Sequence, residues 1–171
     1  MTDIKLVKVS SDYKNEIMNF KKEFMDSSEN TIPGGELLDK IDNIDEWLEY
    51  VIKNSNSSTV SKDWVTTDTY LAFESGHPVG IICLRHELND FLNDFGHIGY
   101  SVRPSQRKKG YATKMLGLIL ERARQIGMDE VKLSSMHDNK ASIKTILKNK
   151  GQYESSYDYL GSKVDLFIIK L

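Results

Sequence analysis

The stretch from Gly96 to Thr113 constrains the fold more than any other part of the sequence. It begins with the alternation of a strand, passes through Pro104, and closes a basic turn with Gly110. The turn carries four basic residues, namely Arg103, Arg107, Lys108 and Lys109. An apolar pattern of helical period follows at once. A strand that leads through a basic, glycine-containing turn into a helix presents backbone N–H groups to an anion. We therefore predict a phosphate-binding turn between a strand and a helix.

Patterns of period two and of helical period alternate along the rest of the chain. They predict strands at residues 4–9, 69–74, 79–85, 96–102, 130–136, 152–159 and 164–170. They predict helices that begin near Ser11 and Asn43, and helices over residues 111–126 and 139–150. The strand, helix and strand around the basic turn form a crossover unit, which implies that two strands lie parallel. We predict an α+β fold in which helices cover both faces of a central, mostly antiparallel and partly parallel sheet.

Composition argues against several classes of protein. The net charge of −2 argues against a general polyanion binder, so the basic turn is a local feature of a mildly acidic chain. The single cysteine, Cys83, cannot form an internal disulfide and is typical of a reducing compartment. The four histidines and Cys83 show no metal-ligand spacing, so no metal is expected. No apolar leader and no run of membrane-spanning length stands out. We expect one domain over residues 1–171, in the cytoplasm and without a membrane partner.

Two short motifs carry a family resemblance. The segment from Arg107 to Ala112, Arg-Lys-Lys-Gly-Tyr-Ala, matches the pattern R/Q-x-x-G-x-G/A and opens a predicted helix after a predicted strand. The segment from Asp138 to Ser142, Asp-Asn-Lys-Ala-Ser, opens the next helix and matches an Asn-x-x-Ala/Ser element. Both motifs and the element order resemble the GNAT N-acetyltransferase superfamily, most specifically over residues 96–151. Residues 84–89 and 96–100 also resemble a subgroup of bacterial predicted acetyltransferases.

The resemblance implies acetyl-CoA as cosubstrate and suggests which residues bind it. Backbone N–H groups of the turn and the helix start would hold the pyrophosphate, and the basic side chains would reach its rim or the 3′-phosphate. The residues of this segment are Arg107, Lys108, Lys109, Gly110, Tyr111, Ala112 and Thr113. The strand residues Tyr100, Ser101 and Val102 would pair with the pantetheine amides, as an added strand would. Asn139 and Ser142 would hold the pantetheine arm.

A GNAT-like enzyme needs a group that removes a proton from the acceptor ammonium. His97 is the first candidate, because it begins the strand that would bind the cosubstrate and imidazole has a suitable pKa. Glu87, at the end of the preceding strand, is the second candidate. Each is also consistent with a surface or hydrogen-bonding residue. Arg85 could bind an acceptor carboxylate or pair with a nearby acid.

The proton donor to the leaving thiolate is not evident from the sequence. Many family members place a tyrosine on the last helix, seven residues after the asparagine, and Ile146 stands at that position here. Other tyrosines could substitute, namely Tyr100, Tyr111, Tyr153 and Tyr157. The thiolate could also leave unassisted, because a thiol pKa of about 8.5 makes the thiolate a tolerable leaving group. We take Tyr100 as a catalytic candidate alongside His97 and Glu87.

Three functions stay open at this point. The leading prediction is an N-acetyltransferase that passes acetyl directly from acetyl-CoA to a primary amine of a small molecule or protein, in a ternary complex. The missing helix tyrosine also fits a non-catalytic acyl-CoA-binding or sensing module. A nucleic-acid-binding domain fits the acidic chain less well, so we expect no nucleic-acid partner. The resemblance is compatible with a homodimer. The segments that would line the acceptor pocket, including residues 27–35, carry no motif.

Overall fold

The computed structural model describes residues 3–171, and its elements follow the predicted order. Its strands are β1 (Ile4–Lys8), β2 (Thr67–Glu74), β3 (His77–Arg85), β4 (Ile98–Val102), β5 (Glu130–Met136), β6 (Gln152–Tyr159) and β7 (Ser162–Lys170). Its helices are α1 (Lys14–Asp26), α2 (Ile44–Asn54), α3 (Tyr111–Gln125) and α4 (Lys140–Lys148). Short 3₁₀ turns lie at residues 11–13, 92–94 and 104–106.

The strands form two antiparallel sheets. In the first, β1, β2, β3 and β4 are neighbours in that order, and in the second β7 lies between β5 and β6. Within residues 3–171 every ladder is antiparallel. The two strands of the crossover unit, β4 and β5, meet at an isolated bridge between Gly96 and Leu133. The expected parallel ladder does not form, because these strands belong to separate sheets and one edge of β4 is left open.

Helices cover both faces of the first sheet, as predicted. Alternation along β2 shows the two faces: Tyr70 and Ala72 belong to the core under α3 and α4, whereas Leu71 belongs to the core under α1 and α2. The helix α3 contributes an apolar stripe of helical period, which consists of Met115, Leu116, Ile119, Leu120 and Ala123. The mixed α/β class of the fold is therefore confirmed.

Local signals delimit the helices where the sequence predicts them. The side chain of Asn43 caps α2 by accepting from the N–H groups of Asp45 and Glu46, at 2.9 and 3.3 Å. Gly127 follows α3 in the left-handed region, with a φ of +86°, and so ends that helix. Within the described residues, no helix has both the length and the apolar character needed to cross a membrane.

Candidate functional site

The basic turn leaves a run of backbone donors open. Gly110 is the N-cap of α3 and has a φ of +82°, and Lys108 also lies in the left-handed region, at +63°. Gly110 has no side chain that could accept from the first helical N–H groups. Within the described part of the chain, the backbone N–H groups of residues 108–113 have no protein acceptor. These donors at a helix N-terminus form a site suited to an anion.

Two of the four basic residues at the turn form ion pairs with carboxylates. The guanidinium of Arg107 donates to both carboxylate oxygens of Glu29, at 2.5 and 2.9 Å. Its Nε donates to the Val102 carbonyl at 3.1 Å. The hydrogen bonds from Arg107 lower the pKa of Glu29. Arg103 pairs with Glu23. Both arginines therefore tie the turn to α1 and to the segment that follows it, a role that the sequence did not reveal.

Lys108 and Lys109 supply the charge that remains at the turn. Both side chains are exposed. Lys109 donates to the Gln106 side chain at 2.8 Å. Two ammonium groups are thus placed beside the open N–H groups, where they could contact a second anionic group of a ligand.

β4 presents a free backbone edge next to this turn. The Arg85 N–H donates to the His97 carbonyl, and the Arg103 N–H donates to the Val79 carbonyl. Odd-numbered residues therefore direct their backbone groups toward β3, and even-numbered residues direct theirs toward the opposite edge. That edge carries the backbone groups of Ile98 and Tyr100 and the N–H of Val102, whose carbonyl accepts from Arg107 Nε. Ser101 turns its backbone toward β3, and its hydroxyl donates to a carbonyl of the α1–α2 segment at 2.7 Å.

Tyr100 reaches from β4 to the first turn of α4. Its hydroxyl lies 2.9 Å from the Ser142 hydroxyl. Burial raises the pKa of Tyr100, so the phenol is protonated at neutral pH. Asn139 caps the same helix by accepting from the Ser142 N–H at 3.1 Å. The structure thus brings three predicted site residues together at the start of α4, and Ile146 is buried one turn further along.

The other three tyrosines considered as proton donors lie in different surroundings. Tyr111 is buried in the core under α3. The Tyr153 hydroxyl lies 2.8 Å from the Ser156 hydroxyl on β6. The Tyr157 hydroxyl donates to the Asp94 carbonyl. Of the four, Tyr100 is the one whose hydroxyl has a hydrogen bond to α4.

His97 has the surroundings of a neutral, structural imidazole. Its Nδ1 accepts from the Lys132 N–H at 2.9 Å, and its backbone N–H donates to the Lys132 carbonyl at 2.8 Å. Burial, together with the charges of Lys132 and Arg85, lowers the pKa of His97 to about 4. Because Nδ1 would have to give up this bond to take a proton, the geometry weighs against His97 as the base. Glu87 is exposed beyond the end of β3. The base role of each residue stays a prediction.

A cavity of about 340 Å³ lies between the α1–α2 segment and the end of β3, and no sequence motif marks it. Its walls include residues 31–39, Tyr50, Trp64 and Arg85. Arg85 donates to the Glu36 carboxylate at 2.9 Å, and the two side chains are only 13% and 5% exposed. Of the two roles that the sequence left open for Arg85, the structure therefore shows the pairing with an acid.

A second group that sequence reasoning missed lies at the end of β5. His137 Nδ1 and Asp165 Oδ2 are 2.8 Å apart, and the Ser156 hydroxyl donates to Asp165 Oδ1 at 2.6 Å. The hydrogen bond from Ser156 contributes most to the lowered pKa of Asp165. No local pattern marks this group or Glu36, because each pairs with residues far away in the chain. Within the described residues, no cluster of three or more metal-binding side chains occurs.

A comparison with protein families decides what kind of chain this is. The model of the acetyltransferase (GNAT) family matches residues 38–151, which is more than half of the chain. The chain belongs to the GNAT acetyltransferase family. The match includes β4, the basic turn, α3 and Asn139. It confirms the resemblance and the enzyme class that the resemblance implies, an acyltransferase with acetyl-CoA as cosubstrate.

Solved structures of GNAT proteins share this fold at low sequence identity. RimL, the ribosomal L7/L12 α-N-protein acetyltransferase, solved with coenzyme A, is 14% identical with a TM-score of 0.75, over 100% of this chain and 96% of that one. A GNAT acetyltransferase from Streptococcus pneumoniae is 17% identical with a TM-score of 0.73, over 99% of both chains. The microcin C7 self-immunity acetyltransferase MccE, solved with acetyl-CoA and AMP, is 15% identical with a TM-score of 0.70, over 99% of this chain and 93% of that one. No curated protein matches the sequence.

Proposed function

We propose that this protein is an N-acetyltransferase that passes the acetyl group of acetyl-CoA directly to a primary amine of a small molecule or a protein. The observation that best supports the proposal is that two sets of backbone groups, largely without hydrogen-bond partners among residues 3–171, lie next to each other. They are the N–H groups of residues 108–113 and the free edge of β4. The first set suits a pyrophosphate, and the second suits an extended chain with amide groups. Coenzyme A carries both features in that order.

The residues present fit coenzyme A. Gly110, without a side chain, lets the backbone approach the pyrophosphate closely. Lys108 and Lys109 are placed to contact the 3′-phosphate, whereas Arg107 is proposed to hold the turn in shape through Glu29. The backbone groups of Tyr100 and Val102 are proposed to pair with the pantetheine amides. RimL and MccE, which share the fold, were solved with coenzyme A and with acetyl-CoA, and this supports the assignment.

The chain's own groups would assist transfer in three ways. When bound, acetyl-CoA supplies the acetyl group as a thioester. In the transfer, the amine nitrogen bonds to the acetyl carbon and the C–S bond breaks. The ammonium nitrogen gives up two protons, one before the attack and one after it, and the thiolate gains one, so one proton is released to water overall. We propose that the backbone N–H near Val102 polarises the thioester carbonyl. We propose that Tyr100 donates the proton to the thiolate and that Ser142 orients its hydroxyl.

Tyr100 would replace the tyrosine that many family members carry on the last helix. Its hydroxyl contacts Ser142, one turn before Ile146. The raised pKa keeps the phenol protonated at neutral pH, so its proton is present when the C–S bond breaks. Tyr100 on β4 thus brings to α4 the hydroxyl group that the Ile146 side chain lacks.

The proposal keeps the predicted compartment and partners and departs from the predicted base role of His97. His97 is proposed to act as a neutral link between β4 and β5, and the ammonium proton to leave through water. The cytoplasm is the proposed compartment, because Cys83 is unpaired and buried. The acceptor is the second proposed ligand, a homodimer is compatible with the proposal, and neither a nucleic acid nor a membrane is invoked.

A paired assay tests this function. Calorimetry with acetyl-CoA should show one site per chain, and a panel of primary amines should release coenzyme A thiol together with the acetylated amine, identified by mass spectrometry. Binding without thiol release across the panel would instead support a non-catalytic acyl-CoA-binding module. No heat at millimolar acetyl-CoA would contradict the proposal as a whole.

A further inference from the structure

The cavity beside β4 borders the strand to which the proposed function assigns the cosubstrate. Gly34, in the cavity wall, lies so close to β4 that a Cβ on it would be 2.3 Å from the Gly99 carbonyl oxygen. The Ser101 hydroxyl donates to the Pro33 carbonyl at 2.7 Å. The wall therefore rests on the face of β4 opposite α3 and α4. An acceptor in the cavity would lie against the strand whose edge holds acetyl-CoA.

Two residues of the cavity wall have a backbone conformation that residues other than glycine rarely adopt. Glu36 and Leu37 have φ angles of +45° and +68°, in the region that favours glycine. The Trp47 indole N–H donates to the carbonyls of Gly35 and Glu36, at 2.9 and 3.0 Å. Strained backbone that is fixed by its surroundings is common at ligand sites. Here it keeps the Glu36 carboxylate buried at the cavity.

The charges in the cavity favour a cation. The lining contains two carboxylates, Glu36 and Asp39, but a single basic side chain, Arg85. Arg85 already donates to Glu36 at 2.9 Å and to the Gly96 carbonyl at 3.0 Å. Asp39 is 10% exposed and lies 3.5 Å from the mostly exposed ammonium of Lys40. The lining itself therefore carries one carboxylate more than it carries cations, and the terminal guanidinium nitrogens of Arg85 are already hydrogen-bonded, whereas its buried Nε has no acceptor within the described residues.

Aromatic rings complete the lining. Tyr50, Trp64 and Phe91 all contribute to it. The Trp64 and Phe91 rings lie 6.5 Å apart, and Phe91 is 59% exposed. Ring faces attract ammonium groups and also bury apolar surface.

We propose that this cavity binds the acceptor, and that the acceptor is a primary ammonium carried on an aromatic or extended apolar body without a carboxylate. Asp39, with Glu36, holds the ammonium, and the rings of Trp64 and Phe91 hold the body. The proposal rests on the proposed acetyltransferase function and names its substrate class. A carboxylate on the ligand would face Asp39 and find Arg85 already paired.

The panel that tests this proposal contains phenethylamine, ethanolamine and phenylalanine, each at saturating acetyl-CoA. Phenethylamine has both features, ethanolamine lacks the apolar body, and phenylalanine adds a carboxylate. We expect kcat/KM for phenethylamine to exceed that of the other two by roughly tenfold or more, because each lacks a contact or adds an unfavourable one. Equal rates for ethanolamine, or a preference for phenylalanine, would overturn the proposal.

Two variants locate the site without disturbing the buried Glu36–Arg85 pair. Asp39→Asn removes the excess charge, and Phe91→Ala removes an exposed ring. Each should raise KM for phenethylamine roughly fivefold or more and leave the Kd of acetyl-CoA unchanged. The matched control is Glu16→Gln, because Glu16 lines a different cavity, of about 440 Å³, along α1. If both test variants leave KM unchanged, the cavity is not the acceptor site.

A direct titration separates this proposal from the function on which it rests. Phenethylamine is titrated calorimetrically into the wild-type chain and the Asp39→Asn chain, each mixed with coenzyme A. If phenethylamine binds the Asp39→Asn chain more weakly than the wild-type chain, the result supports the cavity as its binding site, even when no thiol is released. Absence of thiol release would then count against the transferase function alone. Heat that is equal in the two chains, or absent from both, overturns the cavity assignment while acetyl-CoA binding and thiol release still report on the transferase.

Discussion

The hydroxyl of Tyr100 lies 2.9 Å from the hydroxyl of Ser142, and this contact joins β4 to the first turn of α4. The two residues are 42 positions apart in the chain. Their contact places a buried phenol next to Asn139, the cap of α4, and between the two elements proposed to enclose the pantetheine arm. A proton donor is thereby available although the helix itself carries Ile146.

Replacing Tyr100 with phenylalanine should remove this proton donor. We expect kcat to fall by roughly one hundredfold, the lower end of the effect of general acid catalysis, with a KM for acetyl-CoA within about threefold of wild type. Ser142→Ala should cause a smaller loss in kcat, because the phenol stays but loses its partner. Steady-state kinetics by thiol release measures both. Tyr153→Phe is the control, since the Tyr153 hydroxyl is bonded within β6. A Tyr100→Phe variant with wild-type kcat would rule out this role.

Gly110→Ala should weaken acetyl-CoA binding more than it weakens the fold. The left-handed φ of +82° costs alanine about 1 kcal/mol of folding free energy, or a Tm lower by about 2 to 4 °C. The added methyl group would also stand where the pyrophosphate is proposed to bind, so we expect a roughly tenfold higher Kd for acetyl-CoA. Calorimetry and thermal unfolding measure the two effects.

Gly161→Ala is the matched control for that variant. Gly161 has a φ of +80°, and a Cβ on it would meet no atom within 4 Å, as at Gly110. It lies in the turn between β6 and β7, away from the basic turn. The same loss of stability with an unchanged Kd is expected. Equal effects of both substitutions on Kd would mean that Gly110 acts through stability alone.

The basic side chains of the turn should differ in what they contribute. Lys108→Ala and Lys109→Ala should weaken the binding of acetyl-CoA, lower its salt dependence and reduce discrimination against coenzyme A that lacks the 3′-phosphate.

Arg107→Ala should behave like Glu29→Ala, and their coupling in a double-mutant cycle should be no more than about 1 kcal/mol, since both side chains are partly exposed. Denaturation and titration at two salt concentrations check this. A larger salt effect for Arg107→Ala than for the lysine variants would reverse the assignment.

His97 should make stability depend on pH in a defined window. Its folded pKa of about 4 lies below the ordinary value of 6.5, so the unfolded chain binds more protons between these values. Stability is therefore complete above pH 6.5 and falls as the pH drops toward 4, by about 1 to 2 kcal/mol because solvent screens this partly exposed group. Urea unfolding between pH 7.5 and 5 should show this slope, and His97→Phe should flatten it. A wild-type curve that rises on acidification would contradict the environment described for His97.

The basic turn could be predicted from the sequence because its information is local. Arg107 to Ala112, the glycine among them and the helix that follows are contiguous, so the motif, the conformation and the helix N-terminus coincide. The surroundings of His97 could not be predicted, because Lys132 reaches it from another sheet. Glu36 was missed for a similar reason: its loop has no periodicity, and its partner Arg85 is 49 positions away. The free edge of β4 was implied by the family resemblance alone, since the crossover pattern by itself predicts a parallel ladder that the separated sheets do not form.

Amide hydrogen exchange with and without acetyl-CoA tests the central claim most directly, because that claim concerns named backbone N–H groups. Saturating acetyl-CoA should slow exchange of the amides of residues 108–113 and of Tyr100 and Val102. The turn around Gly161 should exchange at the same rate in both states. Acetyl-CoA that binds without protecting these amides, or that protects a different segment alone, would contradict the account.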